Sequence, residues 1–427
     1  MKSIGNQFAL VLFVALSLAV SSANAGLIAV LNDDSQVVIG PKTSTLSFDA
    51  GSIADKLIVQ VSGETSSGTA VVTYNGEPLT YAPGSGQGRS KGIYYLDNPY
   101  TGGAANLTVD MSAIDTVNGI AFGAVSIAGS DAGVTASNAN AASSVAIITT
   151  AADSFVVAGH GSNGSGGVSP DTPLSQIYGV DNIGSARGAA GYESGVDAGS
   201  QSYSFSGVGA NPVTSAAAFA PADDGRVAIA DLFNTGVDAS GNVLGNDVDD
   251  PHYQITDLDG TGPLPDSTIP SPPGAWLSND ADSRWIGVDN NQTNGNADQG
   301  DYTYETTFTI DADADLTTAL ISGRWATDNG GLDILLNGES IGGGISTGFG
   351  SLTNFVIDGS ILDFVHGTNT LEFQFTNAPS SQNPTGLLVD DIAGWYQIQQ
   401  VVPEPSTFAL AALGLMGLAV CGFRRRK

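Results

Sequence analysis

Between Gly26 and Gln400 no apolar period of 3.6 persists for the length of a useful helix, whereas short alternating runs recur roughly every 8 to 15 residues, bounded by Gly, Asn, Asp and Pro. Such segments bury one face each against another sheet, so the pattern specifies an all-β chain built from sandwiches. The clearest strands of the first half are 56–62, 70–74, 92–96, 106–111, 119–127, 145–150, 154–158 and 203–207. Asn75 and Gly76 stand between two such runs and tolerate positive φ, which predicts a hairpin. Two stretches rich in Ala, Gly, Ser and Asn, 132–144 and 159–169, read as surface loops.

Alternation lapses again over 209–225, and the composition changes across that gap. Residues 26–222 hold 12 Asp and no Trp, whereas 223–400 hold 24 Asp and all four Trp. Two domains follow, 26–221 and 222–400, each expected to be a β-sandwich. The formal charge of −30 repels a phosphate backbone, which excludes nucleic acid as a partner. A hydrophobic share of 41% still supplies enough apolar surface for real cores.

Both ends of the chain carry targeting patterns. Lys2 precedes an apolar run over 8–20, and Ala23, Asn24 and Ala25 form an A-x-A site, so residues 1–25 read as a signal peptide and the mature chain is expected to begin at Gly26. Thirteen residues reach about 20 Å, too short for a bilayer of about 30 Å. These features imply the Sec translocon and signal peptidase as partners. At the other end Val402, Pro403, Glu404, Pro405 and Ser406 precede an apolar run over 408–423, closed by Arg424, Arg425, Arg426 and Lys427. The prolines hold an extended segment outside a helix, the run makes a short transmembrane helix, and the cations keep its end in the cytoplasm.

This three-part tail, 401–427, resembles the PEP-CTERM sorting signal. The resemblance implies an exosortase as partner, cleavage near Pro403 to Pro405, a transient inner-membrane anchor, and delivery to the surface or extracellular matrix of a Gram-negative bacterium. The single cysteine, Cys421, lies inside the tail, so the exported part contains no disulfide. Setting aside Lys2, Glu404 and the four tail cations leaves residues 26–402 with 42 acids and 8 bases.

In the second half, a long alternating strand at 302–310, another at 319–326, the Asn337–Gly338 turn and the later Gly367-Thr368-Asn369-Thr370-Leu371 segment resemble galactose-binding-like jelly rolls. That likeness implies a jelly-roll-like fold, sugar binding and a structural calcium ion near acidic loops.

Catalysis has little support in the residues. His160, His252 and His366 lie in separate segments without metal-binding spacing, and His160 with Ser162 and Ser165 does not form a G-x-S-x-G elbow. The glycine-rich stretch 84–91 has Ser90 where a phosphate loop needs Gly. A glycosidase needs two opposed acids, and only seven residues are Glu. Asp-rich loops suit calcium better, because Ca²⁺ takes six to eight oxygens from short carboxylates and carbonyls. The candidate clusters are Asp247, Asp249 and Asp250, followed by Asp257 and Asp259; Asp311, Asp313 and Asp315; and Asp390 with Asp391. Trp276, after a Pro-Pro-Gly loop, and Trp285, beside Arg284, are candidate sugar-stacking rings on loops, while Trp325 and Trp395 lie in strand-like runs and read as core. The expected function is a non-enzymatic surface or matrix protein engaged in adhesion or exopolysaccharide contact. The alternatives are a dedicated carbohydrate-binding module and, more remotely, a polysaccharide hydrolase.

Overall fold

The computed structural model describes residues 28–399 except 66–67, 115–118, 181, 259–266, 269–270, 281, 289–296 and 379–383. The leader with Ala23, Ala25 and Gly26, the tail from Val402 to Arg426, and Asp259 with Gly260 lie outside these residues. Among the described residues every regular element is a strand, and the strands pair antiparallel.

The first half is deeper than the single two-layer sandwich expected for 26–221. It stacks four sheets. An outer sheet of Thr43–Phe48, Ala105–Asp110, Val71–Tyr74 and Glu77–Pro78 faces a five-stranded sheet ordered Ala29–Ile39, Gly119–Ala128, Lys56–Gly63, Ser90–Asp97 and Thr80–Tyr81. Leu57, Val59 and Val61 meet Phe48, Val72 and Leu107 in the core between them. The opposite face of the same sheet, through Ile58, Ile93 and Val125, packs on Phe155, Val157 and Phe219. Those residues belong to a second five-stranded sheet, ordered Ala136–Asn140, Ala210–Phe219, Ser154–Asn163, Ala186–Val196 and Ser175–Val180. Its far face in turn covers Val145, Ile147, Tyr203 and Phe205 of a three-stranded outer sheet.

This layering explains where the sequence pattern misleads. A strand buried on both faces has no reason to alternate. Lys56–Gly63 and Gly119–Ala128 are buried at every position. Residues 132–144, 159–169 and 209–225, expected to be loops and a break, instead contribute the strands Ala136–Asn140, the end of Ser154–Asn163, and Ala210–Phe219. Their small side chains let the two central sheets approach. A Cβ at Gly161 would stand 2.5 Å from the Arg89 carbonyl carbon, and one at Gly159 would stand 2.2 Å from the Gln60 side chain. A polar seam runs through the contact: Ser62 Oγ donates to the His160 carbonyl at 2.8 Å, the Ser90 and Ser215 hydroxyls lie 2.8 Å apart, and the Tyr178 hydroxyl donates to Gln60 Oε1.

The second half is a sandwich of two sheets. One is ordered Ser267–Thr268, Ile286–Gly287, Gly386–Ile398, Ala314–Asp328 and Thr353–Asp358, with Arg226–Ala228 also pairing Gly386–Ile398. The other is ordered Gln254–Leu258, Gly300–Ile310, Gly367–Asn377, Gly330–Leu336 and Glu339–Ser340. Here alternation and burial agree, since Tyr302, Tyr304, Phe308 and Ile310 point inward from Gly300–Ile310 while their neighbours stay more accessible. Both Asn-Gly pairs turn as expected: Asn75 and Gly76 at φ of 50° and 85°, Asn337 and Gly338 at 51° and 82°. The halves touch, because Leu320 and Trp395 join the apolar cluster of the first half and Asn354 Nδ2 donates to Asp33 Oδ1 at 2.7 Å.

Candidate functional site: an acidic cleft between the halves

Arg324 lies in the strand Ala314–Asp328, directly opposite Asp390 of Gly386–Ile398. Successive residues of a strand normally point to opposite faces, so Asp390 and Asp391 would not be expected to share a partner. A register shift between Ser322 and Arg324, with Asp391 in the left-handed region at φ 50°, bends the strand and turns both carboxylates toward one guanidinium. Arg324 Nη2 stands 2.5 Å from Asp390 Oδ2 and 2.8 Å from Asp391 Oδ2. The same nitrogen donates to Ser175 Oγ of the first half at 2.8 Å, and that hydroxyl donates to Asp391 Oδ2 at 3.2 Å. The Tyr192 ring lies 5.5 Å from the guanidinium.

The segment between Trp276 and Trp285 adds two more acids, Asp280 and Asp282. It is held by the indoles that flank it: Trp276 and Trp285 pack with ring centres 4.4 Å apart, Trp285 Nε1 donates to the Leu277 carbonyl at 2.9 Å, and the Trp285 amide donates to Asn279 Oδ1 at 2.9 Å. Asp280 Oδ1 accepts from the Ser283 amide at 2.7 Å and from its hydroxyl at 2.8 Å. Asn234 Nδ2 donates to the Asp282 carbonyl at 3.1 Å. One oxygen each from Asp280, Asp282 and Asp390 then lies within 4.8 Å of the others. Asp280 is exposed, Asp282 half-buried and Asp390 only 1% exposed.

The electrostatics follow from crowding. Burial, the Asp390 charge and the Asp280 charge push the Asp282 carboxyl far above the usual carboxylate range. Burial and neighbouring Asp391 also raise Asp390, against the pull of Arg324. Burial opposes the Arg324 charge, but Tyr192, Asp391 and Asp390 outweigh it and hold the guanidinium firmly protonated. Two adjoining hollows of about 390 and 290 Å³ flank this cluster and share Pro173, Ser175 and Asp282 as walls.

The expected sites are redistributed. Trp276 and Trp285 are not displayed rings, because they are 8% and 0% exposed and form one apolar cluster with Ala326 and Leu388. A stacking platform needs a free face, and these indoles are enclosed: they pack tilted against each other, and Trp276 also stacks on Phe349. Asp250 is buried, with its carboxylate accepting from the amides of Gly236, His252 and Tyr253, so it shapes its own loop. Asp247 and Asp249 are exposed and do not converge with it on a shared ligand point. Asp311 accepts from the Tyr396 hydroxyl and Asp315 from Thr317, each in a separate local bond. Asp390 and Asp391 do adjoin an acidic cluster, but Asp391 turns to Arg324 and Ser175 while Asp280 and Asp282 join Asp390. Arg324, which the sequence offers equally as a partner for nearby aspartates or as a ligand contact, pairs with Asp390 and Asp391. Asp280 and Asp282 are not singled out by the sequence. Their only local signal was the density of Asp and Asn around Trp285, and that density is general in this half. His160 is not in a loop; it sits in strand Ser154–Asn163 with its ring stacked on Phe205.

Comparison with known proteins decides one matter. Residues 401–426 match the PEP-CTERM protein-sorting motif. The chain carries an exosortase sorting signal. That signal makes it an exported protein destined for the cell surface or extracellular space. No curated protein matches the chain. Among solved structures, the ANX2 ectodomain from Arabidopsis thaliana aligns at 9% identity over 86% of this chain and 83% of its own, with a TM-score of 0.21. The structure of the entire lipid-containing bacteriophage PM2 contains a chain that aligns at 8% identity over 86% of this chain and 100% of its own, with a TM-score of 0.14. At those scores neither likeness bears on fold or function.

Proposed function

We propose that this chain is a non-catalytic surface protein that is anchored transiently through its tail, released by exosortase cleavage near Pro403 to Pro405, and engaged in adhesion through exopolysaccharide contact. The observation that carries this reading is the cleft between the halves. Its wall presents Ser175, Gln176, Ser351, Asn354 and Asp280, short polar groups that match the hydroxyl edges of a sugar. The resemblance of the second half to galactose-binding-like jelly rolls supports the same ligand class. With both candidate indoles buried, recognition here rests on hydrogen bonds rather than ring stacking.

Two features weigh against turnover. A glycosidase needs two carboxyl groups that reach the sugar from opposite sides, roughly 5 to 9.5 Å apart. Asp390 is sealed and ion-paired, while Asp280 and Asp282 leave the same loop. The test is binding of the protein to exopolysaccharide purified from the cells that make it, comparing wild type with a Gln176→Ala, Ser351→Ala double variant. Both positions are exposed, so the fold is spared. Two lost hydrogen bonds are worth about 1 to 3 kcal/mol, which predicts at least fivefold weaker binding. Equal binding by wild type and variant would remove the cleft from the reading, and shortening of the polysaccharide by the wild type would remove its non-catalytic part.

A further inference from the structure

Among the oxygens gathered at Asp280, Asp282 and Asp390, one lacks a hydrogen-bond partner. Asp390 is 1% exposed, and Arg324 takes its Oδ2. Ser283 is close enough to favour the Asp390 carboxylate, but its single hydroxyl hydrogen goes to Asp280 Oδ1 at 2.8 Å. Asp390 Oδ1 therefore has no hydrogen-bond partner, and the carboxylate that carries it brings an oxygen within 4.8 Å of one from Asp280 and one from Asp282. A buried carboxylate oxygen without a donor is costly, and such groups ordinarily find a proton, a water or an ion.

We propose that Asp280, Asp282 and Asp390 hold a divalent, oxygen-preferring cation of the calcium class, with Asp390 Oδ1 as the ligand on the buried side. The donor set argues for the class. All three ligands are carboxylates, and neither His nor Cys belongs to the group, which disfavours zinc and copper. Asp280 and Asp282 each stand on irregular backbone, which suits the loose, high-coordination shell of calcium better than the strict octahedron of magnesium. Charge argues in the same direction. Asp280 and Asp282 gather at Asp390, while the one guanidinium pairs with Asp390 and Asp391, so acids outnumber the base here and a double positive charge offsets the excess. Arg324 is then a positioning residue, because its grip on Oδ2 aims Oδ1 at the ion.

The ion would tie Asp280 and Asp282 to strand Gly386–Ile398, and through Arg324 and Ser175 to the first half. It does not depend on what the cleft binds, so it stands or falls separately from the exopolysaccharide reading. The test uses the mature protein extracted from its native surface, stripped of metal with a chelator and titrated with calcium chloride by calorimetry, with no glycan present. One calcium ion per chain is expected, binding at or below about 1 mM as extracellular sites do, with melting raised by a few degrees. Asp280→Asn and Asp282→Asn should each weaken binding at least tenfold, whereas Asp249→Asn on its separate exposed loop should not. Asp390→Asn also breaks the pair with Arg324 and can fail to fold, which is why the exposed Asp280 supplies the deciding variant. Absence of saturable binding up to about 10 mM calcium, unchanged affinity in the Asp280→Asn, Asp282→Asn double variant, or loss confined to Asp249→Asn would each overturn the site.

Discussion

His160 shows how one enclosed ring makes stability depend on pH. The imidazole is fully buried, stacks on Phe205 at 5.4 Å, and has Nδ1 3.2 Å from Thr214 Oγ1. Thr214 spends its hydroxyl hydrogen on the Ala142 carbonyl at 2.8 Å, so Nδ1 must be the protonated nitrogen that donates to it. Nε2 has no partner, and burial together with Arg187 lowers the pKa from 6.5 to about 4. The unfolded chain thus takes up a proton near pH 6.5 that the native state refuses until about pH 4. Stability contributed by the neutral ring is present above pH 6.5 and lost as pH falls toward 4, by up to about 3 kcal/mol. Asp282 and Asp390, whose pKa values are raised, act in the opposite direction, gaining stability on acidification. Urea unfolding of wild type and His160→Gln at pH 7 and pH 4.5 isolates the histidine: the variant should lose less stability on acidification, and parallel pH profiles would refute its role.

At the scale of elements, two departures from ideal strands do the positioning. The irregularity at Asp391 brings adjacent acids to one face, as a regular strand would not. The small residues of Ser154–Asn163 and Ala210–Phe219 bring sheet against sheet, with Ala217 facing one core and Ala216 and Ala218 the other. Gly161 is the tightest test of that contact, because its missing Cβ would meet the backbone of Arg89, which cannot rotate away as a side chain can. Gly161→Ala should cost about 1 to 3 kcal/mol by forcing the sheets apart. Gly274→Ala, where a Cβ meets nothing within 4 Å, should stay within about 0.5 kcal/mol. Chemical unfolding of the two variants checks both, and an equal effect would show that the sheets are not held at this distance by glycine.

The whole molecule combines a stacked β body with a contiguous address at its end. The halves are joined by apolar contact at Leu320 and Trp395, by the Asn354–Asp33 bond and by the Ser175 bridge to Arg324 and Asp391. None of these involves residues 401–427. A chain ending at Gln400 is expected to keep its melting temperature and its export but lose surface delivery, so that immunoblots find it in the medium and not in the surface fraction. Surface delivery without residues 401–427 would show that the sorting signal is not what directs the protein there.

What the chain announces by itself is local in origin. Alternation along Gly300–Ile310, the left-handed turns at Asn75–Gly76 and Asn337–Gly338, and the uninterrupted sorting motif each depend on neighbouring residues, so they were legible without a fold. The four-layer first half was not, because strands buried on both faces lose the alternation that reveals a strand. Nor was the acidic site. Arg324 meets Asp390 across 66 residues and Ser175 across 149, and Asp280 and Asp282 reach Asp390 only through a loop that two buried tryptophans hold in place. Strand register and the bend at Asp391 decide which of 36 aspartates become neighbours, and those are properties of the packed sheets.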